Sequence, residues 1–275
     1  MNTFKKLKNY IKILNFSKIF SKSAEMSFYL TLSIFPSLIF LISVIAYIPN
    51  IDLIFKNKNI LKFIPNDALS VLQSIIDSAI NNRSVNLILF SSLLAIWTFS
   101  KYIKSIIKAQ NEVYEFTEKR NFLVLNLISV LYSIAFFTVI ISTMILIVYG
   151  NKISIFLKEL LNNNFVLVDF FNVIRFLIPI LLMTFIFLNI FTFTPCGKLK
   201  YKQTITGALI TSVLWFNFSL IYAFYANHSS GLKEIYGSIS TIIVLMSWLY
   251  FCSISIAIGY TINSIIFKRK SLSSN

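Results

Sequence analysis

Side chains able to do chemistry are few and scattered. His228 is the only histidine in the 275 residues, and it lies in "YANHSSGLKEIYGS", residues 225–238, between two long apolar runs. An imidazole there could act as a base or a metal ligand. A metal site needs further His, Cys or carboxylate partners, and only Glu234 is close in sequence. The stretch reads instead as a reversal of the chain, because Asn, Ser and Gly are turn formers, with Tyr236 and Gly237 placed to shape a pore mouth. Glu112, Glu115 and Glu118 recur every third residue in "KYIKSIIKAQNEVYEFTEKR". Carboxylates so spaced could hold a divalent cation, but Lys108, Lys119 and Arg120 lie nearby, and a solvated charged face is the simpler reading. Metal-assisted phosphodiester cleavage needs converging carboxylates or histidines, and a serine nucleophile needs an activating base. Neither set is visible, and no GxxxxGK[ST] phosphate loop occurs. The expectation is a chain without catalytic residues, metal or cofactor.

Within the apolar runs a second group of residues draws notice. Arg175 is the only basic residue well inside one of them, and an ionisable side chain in hydrocarbon is a functional candidate by default, although its length also lets it snorkel outward. Pro36, in "SFYLTLSIFPSLIFLISVI", removes a backbone hydrogen bond and bends a helix; the carbonyl it frees needs a partner such as Ser33 or a neighbouring helix. Pro179 could do the same. Tyr29, Pro36, Asn111, Arg175, Tyr236, Gly237 and Asn263 are the candidates for lining a substrate path. Gly207, Ala208, Thr211 and Ser212 in one run, and Ser253, Ala257 and Thr261 in the next, are small residues that let helices approach closely. Trp215, Trp248 and Tyr250 read as packing residues of the same pair. Cys196 and Cys252 give no disulfide framework and read as free thiols.

The elements that must carry these residues follow from hydropathy. The chain is 57% hydrophobic and 13% charged, against roughly 25% charged in a soluble domain. Its apolar residues fall in blocks. Residues 27–48, 122–149, 205–226 and 238–267 contain no Asp, Glu, Lys or Arg, whereas 84–103 and 170–194 contain one each, Lys101 and Arg175. About 20 apolar residues span a bilayer as a helix, and in lipid only helices and closed barrels satisfy the backbone. Barrel strands would alternate over about ten residues. The predicted fold is all-α: a single membrane domain over 1–275, a bundle of six transmembrane helices. The first run begins too far from the N-terminus, and is too long, for a cleaved signal core.

Lysine and arginine set the predicted orientation. Residues 1–22, the connections 101–121 and 194–204, and the tail carry 6, 5, 3 and 3, or 17 in all; the connections 49–83, 150–169 and 227–237 carry 4, 2 and 1, or 7. Positive residues favour the cytoplasmic side, which places both termini there in a multi-pass protein of the bacterial inner membrane. The same asymmetry explains the net charge of +15 without nucleic acid. Phe4, Leu7, Tyr10, Ile11 and Leu14, with Lys5, Lys6, Lys8 and Lys12 between them, form a basic amphipathic pattern. The cytoplasmic segment 1–25 is therefore expected to lie on anionic lipid headgroups. A second amphipathic helix is expected in 49–83, where Asn66 or Asp67 caps Leu69, Leu72, Ile76 and Ile80. Oligomeric state and protein partners leave no trace in the sequence.

Four blocks carry a resemblance. They are "SAEMSFYLTLSIFPSLIFLISV"; "AIWTFSKYIKSIIKAQNEVYEFTEKR", with Trp97, Asn111, Tyr114 and Arg120; "TPCGKLKYKQTITGALITSVLW", with Pro195, Gly207, Ala208 and Trp215; and "FYANHSSGLKEIYGSISTIIVLMSWLYFCSISIAIGYTIN", with Tyr225, Tyr236, Gly237, Trp248, Tyr250, Gly259 and Asn263. In this order, over nearly the whole chain, they resemble the YihY/BrkB family of bacterial inner-membrane proteins. The family usually reads Gly-Ala-Glu-Leu-Asn where this chain has "GYTIN", so Thr261 stands at the acidic position and no role of that carboxylate carries over. The resemblance implies a membrane protein, and it marks the label ribonuclease BN, once given to members, as a misassignment. The functional expectation is a transporter, or a protein handling a lipid or lipid-linked substrate, without an ATPase motif. The alternative is an envelope scaffold or assembly factor; a membrane nuclease fits least.

Overall fold

The computed structural model describes the backbone of residues 16–47, 81, 83–160, 165–228 and 239–273, and the side chains of 16–47, 81, 83–142, 177–225 and 242–269. Six helices follow one another: α1 (Phe16–Ile45), α2 (Val85–Tyr114), α3 (Phe122–Leu160), α4 (Phe165–Phe193), α5 (Tyr201–His228) and α6 (Ile239–Ser273), with no strand among the described residues. Five stretches are long and apolar enough to cross a membrane: Phe16–Ile45, Val85–Tyr114, Phe122–Ser142, Tyr201–Tyr225 and Ile242–Arg269; the described part of α4, Leu177–Phe193, is apolar and shorter. The all-helical membrane bundle expected from hydropathy is what the chain forms. Residues 4–14 and 69–80, which carry the amphipathic patterns expected in the segments 1–25 and 49–83, and the loop residues Tyr236 and Gly237, lie outside the described residues.

Boundaries differ from the apolar windows, for a physical reason. Hydropathy marks where hydrocarbon begins, whereas a helix ends only where its hydrogen-bond ladder is capped. α1 starts at Phe16 rather than near residue 27, because the intervening Lys18, Lys22 and Glu25 are good helix formers that find ionic partners. α3 continues to Leu160, 39 residues in all. The segment 150–160, expected as loop, is helical: Ile153, Phe156, Leu157 and Leu160 keep the i, i+3, i+4, i+7 spacing. α4 begins at Phe165, which puts Arg175 ten residues into the helix, about 15 Å from its start at 1.5 Å per residue, and not near an end. α2 stops at Tyr114, so it does not carry Glu115 and Glu118 on a continuing helical face.

The chain divides into two compact units. One comprises residues 1–31, 100–132 and 180–275; the other comprises residues 32–99 and 133–179. In the second, Phe99 packs on Phe136 and Phe137 at centroid distances of 4.8 and 5.4 Å, Phe40 meets Phe137 edge-on at 5.8 Å, and Arg83 lies over the Tyr47 ring at 5.9 Å. Pro36 belongs to this unit, inside α1.

The first unit holds the pair α5–α6. It has an inverted polarity: Ser23, Ser129, Thr204, Thr211, Ser253, Ser255 and Asn263 are all fully buried, while Phe122, Leu123 and Phe224 are 74%, 76% and 67% exposed. Water would select the opposite distribution; hydrocarbon around the helices permits this one. The buried hydroxyls are mostly satisfied within their own helices, Ser23 donating to the Ile19 carbonyl (2.8 Å), Ser129 to Leu125 (2.8 Å) and Ser253 to Leu249 (2.9 Å), a bond that lets Ser and Thr sit inside helices. The aromatic residues read as packing do pack: Trp215 against Phe187 (5.6 Å) and Trp248 against Tyr222 (5.3 Å).

Candidate functional site

The chemistry-bearing residues of the first unit gather at the C-terminal end of α2. The helix ends in a cap in which the Phe116 N–H bonds the Asn111 carbonyl (2.8 Å) and the Glu115 N–H bonds the Glu112 carbonyl (3.3 Å). That pairing is a Schellman motif, which wants a left-handed residue after the last helical turn; Glu115 supplies it with φ of 61°. Glycine is the usual occupant because a Cβ there is strained. Glu115→Gly is therefore expected to raise the melting temperature of the purified protein by about 2–4 °C in a thermal scan, although it removes an exposed ion pair. The cap also separates the three glutamates. Glu112 takes Lys18 (3.0 Å) and Lys22 (2.7 Å) from α1, and Glu115 takes Lys268 from α6 (2.5 Å). Glu118 turns to Arg120 (2.7 Å). Each carboxylate serves a different cation, and none shares a ligand position with another.

Glu118 is the centre of a knot between the α2–α3 and α4–α5 connections. Arg120 grips its carboxylate through Nε (2.8 Å) and Nη2 (2.7 Å) and donates also to the Thr194 carbonyl (2.8 Å). The Asn111 amide donates to Glu118 Oε2 (2.8 Å) while its carbonyl oxygen accepts the Cys196 N–H (2.9 Å); the Cys196 thiol donates to Glu118 Oε1 (2.8 Å). The Arg120 hydrogen bonds hold the Glu118 carboxyl at about 2, well below the usual carboxylate range, against partial burial and with help from the Cys196 thiol. The same pairing pushes the Arg120 guanidinium up. Beside the knot, Phe116 stacks on Tyr114 (5.3 Å) and covers Gly197, where any Cβ would enter the ring.

α5 and α6 touch backbone to backbone. A Cβ on Gly207 would collide with the Gly259 carbonyl, and one on Gly259 with Thr211 and the Gly207 carbonyl. The buried Asn263 side chain closes this crossing: its oxygen accepts the Gly207 N–H (2.8 Å) and its amide donates to the Thr204 carbonyl (3.0 Å). Thr211 donates across to the Ser255 carbonyl (3.2 Å).

Among the described residues of this unit, two cavities stand out. One, about 260 Å³, lies where α1 begins and α2 and α6 end, with Lys18, Lys22, Lys268, Glu112, Glu115 and Thr261 in its wall. The other, about 410 Å³, is an apolar groove between α5 and α6, framed by the Phe218–Phe251 (5.1 Å) and Tyr222–Trp248 ring pairs, with Ser247 on its rim and the Trp248 N–H turned onto Ser219 (3.2 Å).

Comparison with known proteins places this arrangement. The family described as virulence factor BrkB matches residues 11–274. The chain belongs to the BrkB family. That makes it a member of a family of integral membrane proteins. This BrkB-family chain is 30% identical over 256 residues to the ribonuclease-like protein YfkH of Bacillus subtilis (strain 168), so named; the match covers 92% of this chain and 91% of YfkH. It is 23% identical over 252 residues to a UPF0761 membrane protein of Vibrio atlanticus (strain LGP32), covering 90% and 78%. It is 22% identical over 274 residues to the UPF0761 membrane protein VP0125 of Vibrio parahaemolyticus serotype O3:K6, covering 96% and 82%. No solved structure matches.

Of the sequence-derived candidates, Tyr29, Asn111 and Asn263 have described side chains in the first unit of this BrkB-family chain. Tyr29 is half-buried on α1, edge-on to Phe28 at 5.5 Å. Asn111 belongs to the Glu118 knot and Asn263 to the α5–α6 crossing. Pro36 lies in the other unit, the Arg175 side chain is outside the described residues, and so are Tyr236 and Gly237. The residues that do converge, Lys18, Lys22 and Lys268, sat in the charge count as orientation signals. Their partners are about 90 to 150 positions away in sequence, beyond any local spacing rule. Glu25 was the available hint: it is three residues from Lys22, and the two pair at 3.6 Å.

Proposed function

We propose that this BrkB-family protein handles membrane lipid or a lipid-linked substrate, moving it or presenting it without nucleotide hydrolysis. The supporting observation is the α5–α6 groove. It is apolar, lies on two helices that touch backbone to backbone, and falls within stretches long enough to cross a bilayer. Small-molecule pockets run about 300–1,000 Å³, and about 410 Å³ lined by five aromatic side chains suits an acyl or isoprenoid chain. On this reading the lysine-rich connections and both termini face the cytoplasm of a bacterial inner membrane, the segment ahead of α1 rests on anionic headgroups, and the whole chain acts as one membrane domain. Arg175, Tyr236 and Gly237 remain candidates for the path.

The scaffold reading draws on a different observation. Asn111 and Asn263, both candidates for the path, spend their polar atoms on loop and backbone groups, as residues of a solid support would. Movement of labelled lipid across vesicles reconstituted with the purified chain decides between the two. Nuclease chemistry is the least supported, since Glu112, Glu115 and Glu118 are each committed to a separate cation. Metal-dependent RNA cleavage by the pure protein that was lost on changing Glu112 and Glu115 would reinstate it.

A further inference from the structure

We infer that α5 carries a self-association face, through which two copies of this chain pair by reciprocal hydrogen bonds between their Asn217 side chains. The inference uses residues of α5 that do not line the apolar groove, and it holds whether or not the protein handles lipid.

An exposed amide at the wrong depth is the first argument. Asn217 is exposed on α5 and lies in the uncharged run 205–226, 12 residues from one end and 9 from the other. At 1.5 Å per residue each end is about 13 Å away or more, deep within a hydrocarbon layer about 30 Å thick. The Asn217 amide donates to the Val213 carbonyl one turn back (2.7 Å). A side-chain amide has a second N–H and a carbonyl oxygen besides, and among the described residues neither of these has a partner. Asn189 on α4 shows the satisfied alternative. It makes the same bond to the Phe185 carbonyl (2.7 Å), and its oxygen accepts the Tyr201 hydroxyl (3.2 Å). Acyl chains offer Asn217 neither donor nor acceptor, so its remaining capacity calls for another polar side chain at the same depth.

Self-complementarity is the second argument. An amide is its own partner, because the N–H of one donates to the oxygen of the other. Two copies inserted in the same sense pair symmetrically about a two-fold axis along the membrane normal. That axis sets the two α5 helices parallel, with residue 217 opposite residue 217 at one depth. The neighbouring positions suit such a seam. Thr206, Ile210, Val213, Asn217 and Leu220 are spaced 4, 3, 4 and 3 residues apart, the repeat of a left-handed helix pair; Ile210 is half-buried and the other four are exposed. Membrane helices cross mostly in that left-handed sense, and Asn side chains bond between them. A single Asn within such a seam fixes register and the number of helices. Gly207 and Thr211, which meet α6, lie off the stripe, as do the groove residues Phe218, Tyr222 and Tyr225. Pairing therefore leaves the α5–α6 crossing and the groove as they are.

The test places the full chain, labelled at its C-terminus with a donor or an acceptor fluorophore, in phosphatidylcholine vesicles and follows energy transfer as lipid is added. Transfer is expected to exceed that of random encounters and to fall along a monomer–dimer curve. Asn217→Leu, an apolar change at an exposed position, is expected to keep the parent's melting temperature and to raise the dissociation constant about tenfold. Asn217→Gln retains the amide and is expected to stay within about threefold of the parent. Independently, Leu220→Cys is expected to give a disulfide-linked dimer on mild oxidation, whereas Leu131→Cys, exposed on α3, gives no more than the parent. Transfer no higher than random encounters would overturn the pairing and leave the amide to lipid. Transfer unchanged by Asn217→Leu would put the dimer contact elsewhere and overturn it too. Equal cross-linking of the two cysteine variants would do the same, as would Leu220→Cys joining a different membrane protein, and not its own copy, in native membranes.

Discussion

Gly259→Val is expected to destabilise the protein by about 3 kcal/mol or more, near the upper end for overpacking, and to be seen as loss of the folded, monodisperse species or a large fall in melting temperature. The reason is backbone proximity. A side chain at Gly259 meets the Gly207 carbonyl and Thr211 on α5, and the Phe191 ring at 3.1 Å. A carbonyl cannot rotate away as a flexible side chain can, so the helices must separate. Separation also draws the Asn263 amide off Gly207 and Thr204, leaving polar groups unpaired in an apolar surround at about 1–3 kcal/mol each. Gly207→Val is expected to act in the same direction, and the double variant to cost less than the sum, because both changes break one contact. A Gly259→Val protein as stable as the parent would show that α5 and α6 do not cross where Gly207 and Gly259 meet.

Arg120→Ala should lower stability by about 2–3 kcal/mol, the range for losing charge-assisted hydrogen bonds, with the change read in the same thermal scan. Arg120 makes a two-pronged bond to Glu118 and reaches across to Thr194, so its loss unties the two connections at once. Arg120→Lys should rescue little, because an ammonium cannot reproduce the fork. The knot also predicts an acid limb. Glu118 is depressed from an ordinary value of 4.5 to about 2. Its contribution is therefore present above about 4.5 and lost as pH falls from there through about 2. With the carboxylate about 30% accessible, solvent screening reduces that contribution to about 1–2 kcal/mol. Glu118→Gln and Arg120→Ala should both flatten the stability profile across that window. A profile identical to the parent's in both variants would mean that Glu118 and Arg120 are not paired.

The fold was largely readable because hydrocarbon imposes a coarse demand. A run such as 205–226 with no charge and more than 20 residues has few alternatives to a spanning helix, and all six windows became helices. Their ends were not readable, since Lys18, Lys22 and Lys152 are compatible with helix and excluded only from lipid. The small residues Gly207, Thr211 and Ala257 were recognisable as packing positions. Gly259 and Asn263 completed that crossing only once the register of α5 against α6 was known, and Asn263, read as a path residue, turned out to bond the α5 backbone. The Glu118 knot was hidden for another reason. Its members come from the last turn of α2 (Asn111) and from two connections (Arg120, Thr194 and Cys196) whose approach depends on four helices, and a charged loop looks solvated until its partner arrives. The glutamate triplet misled in the opposite sense: equal spacing implied a common face, but the cap at Glu115 turned the chain between the second and third carboxylates.

The most direct test of the central claim compares lipid movement by the parent chain and by Ser247→Trp in reconstituted vesicles. Ser247 sits exposed on the rim of the α5–α6 groove, and its hydroxyl bonds only its own helix, at the Ile243 carbonyl (2.9 Å). An indole there fills the groove without entering the Gly207–Gly259 crossing. The account predicts labelled lipid crossing vesicles that contain the parent faster than protein-free vesicles, and a return to the protein-free rate with Ser247→Trp. A parent chain that leaves the lipid rate unchanged, or a groove-filled variant that moves lipid as fast as the parent, would contradict it.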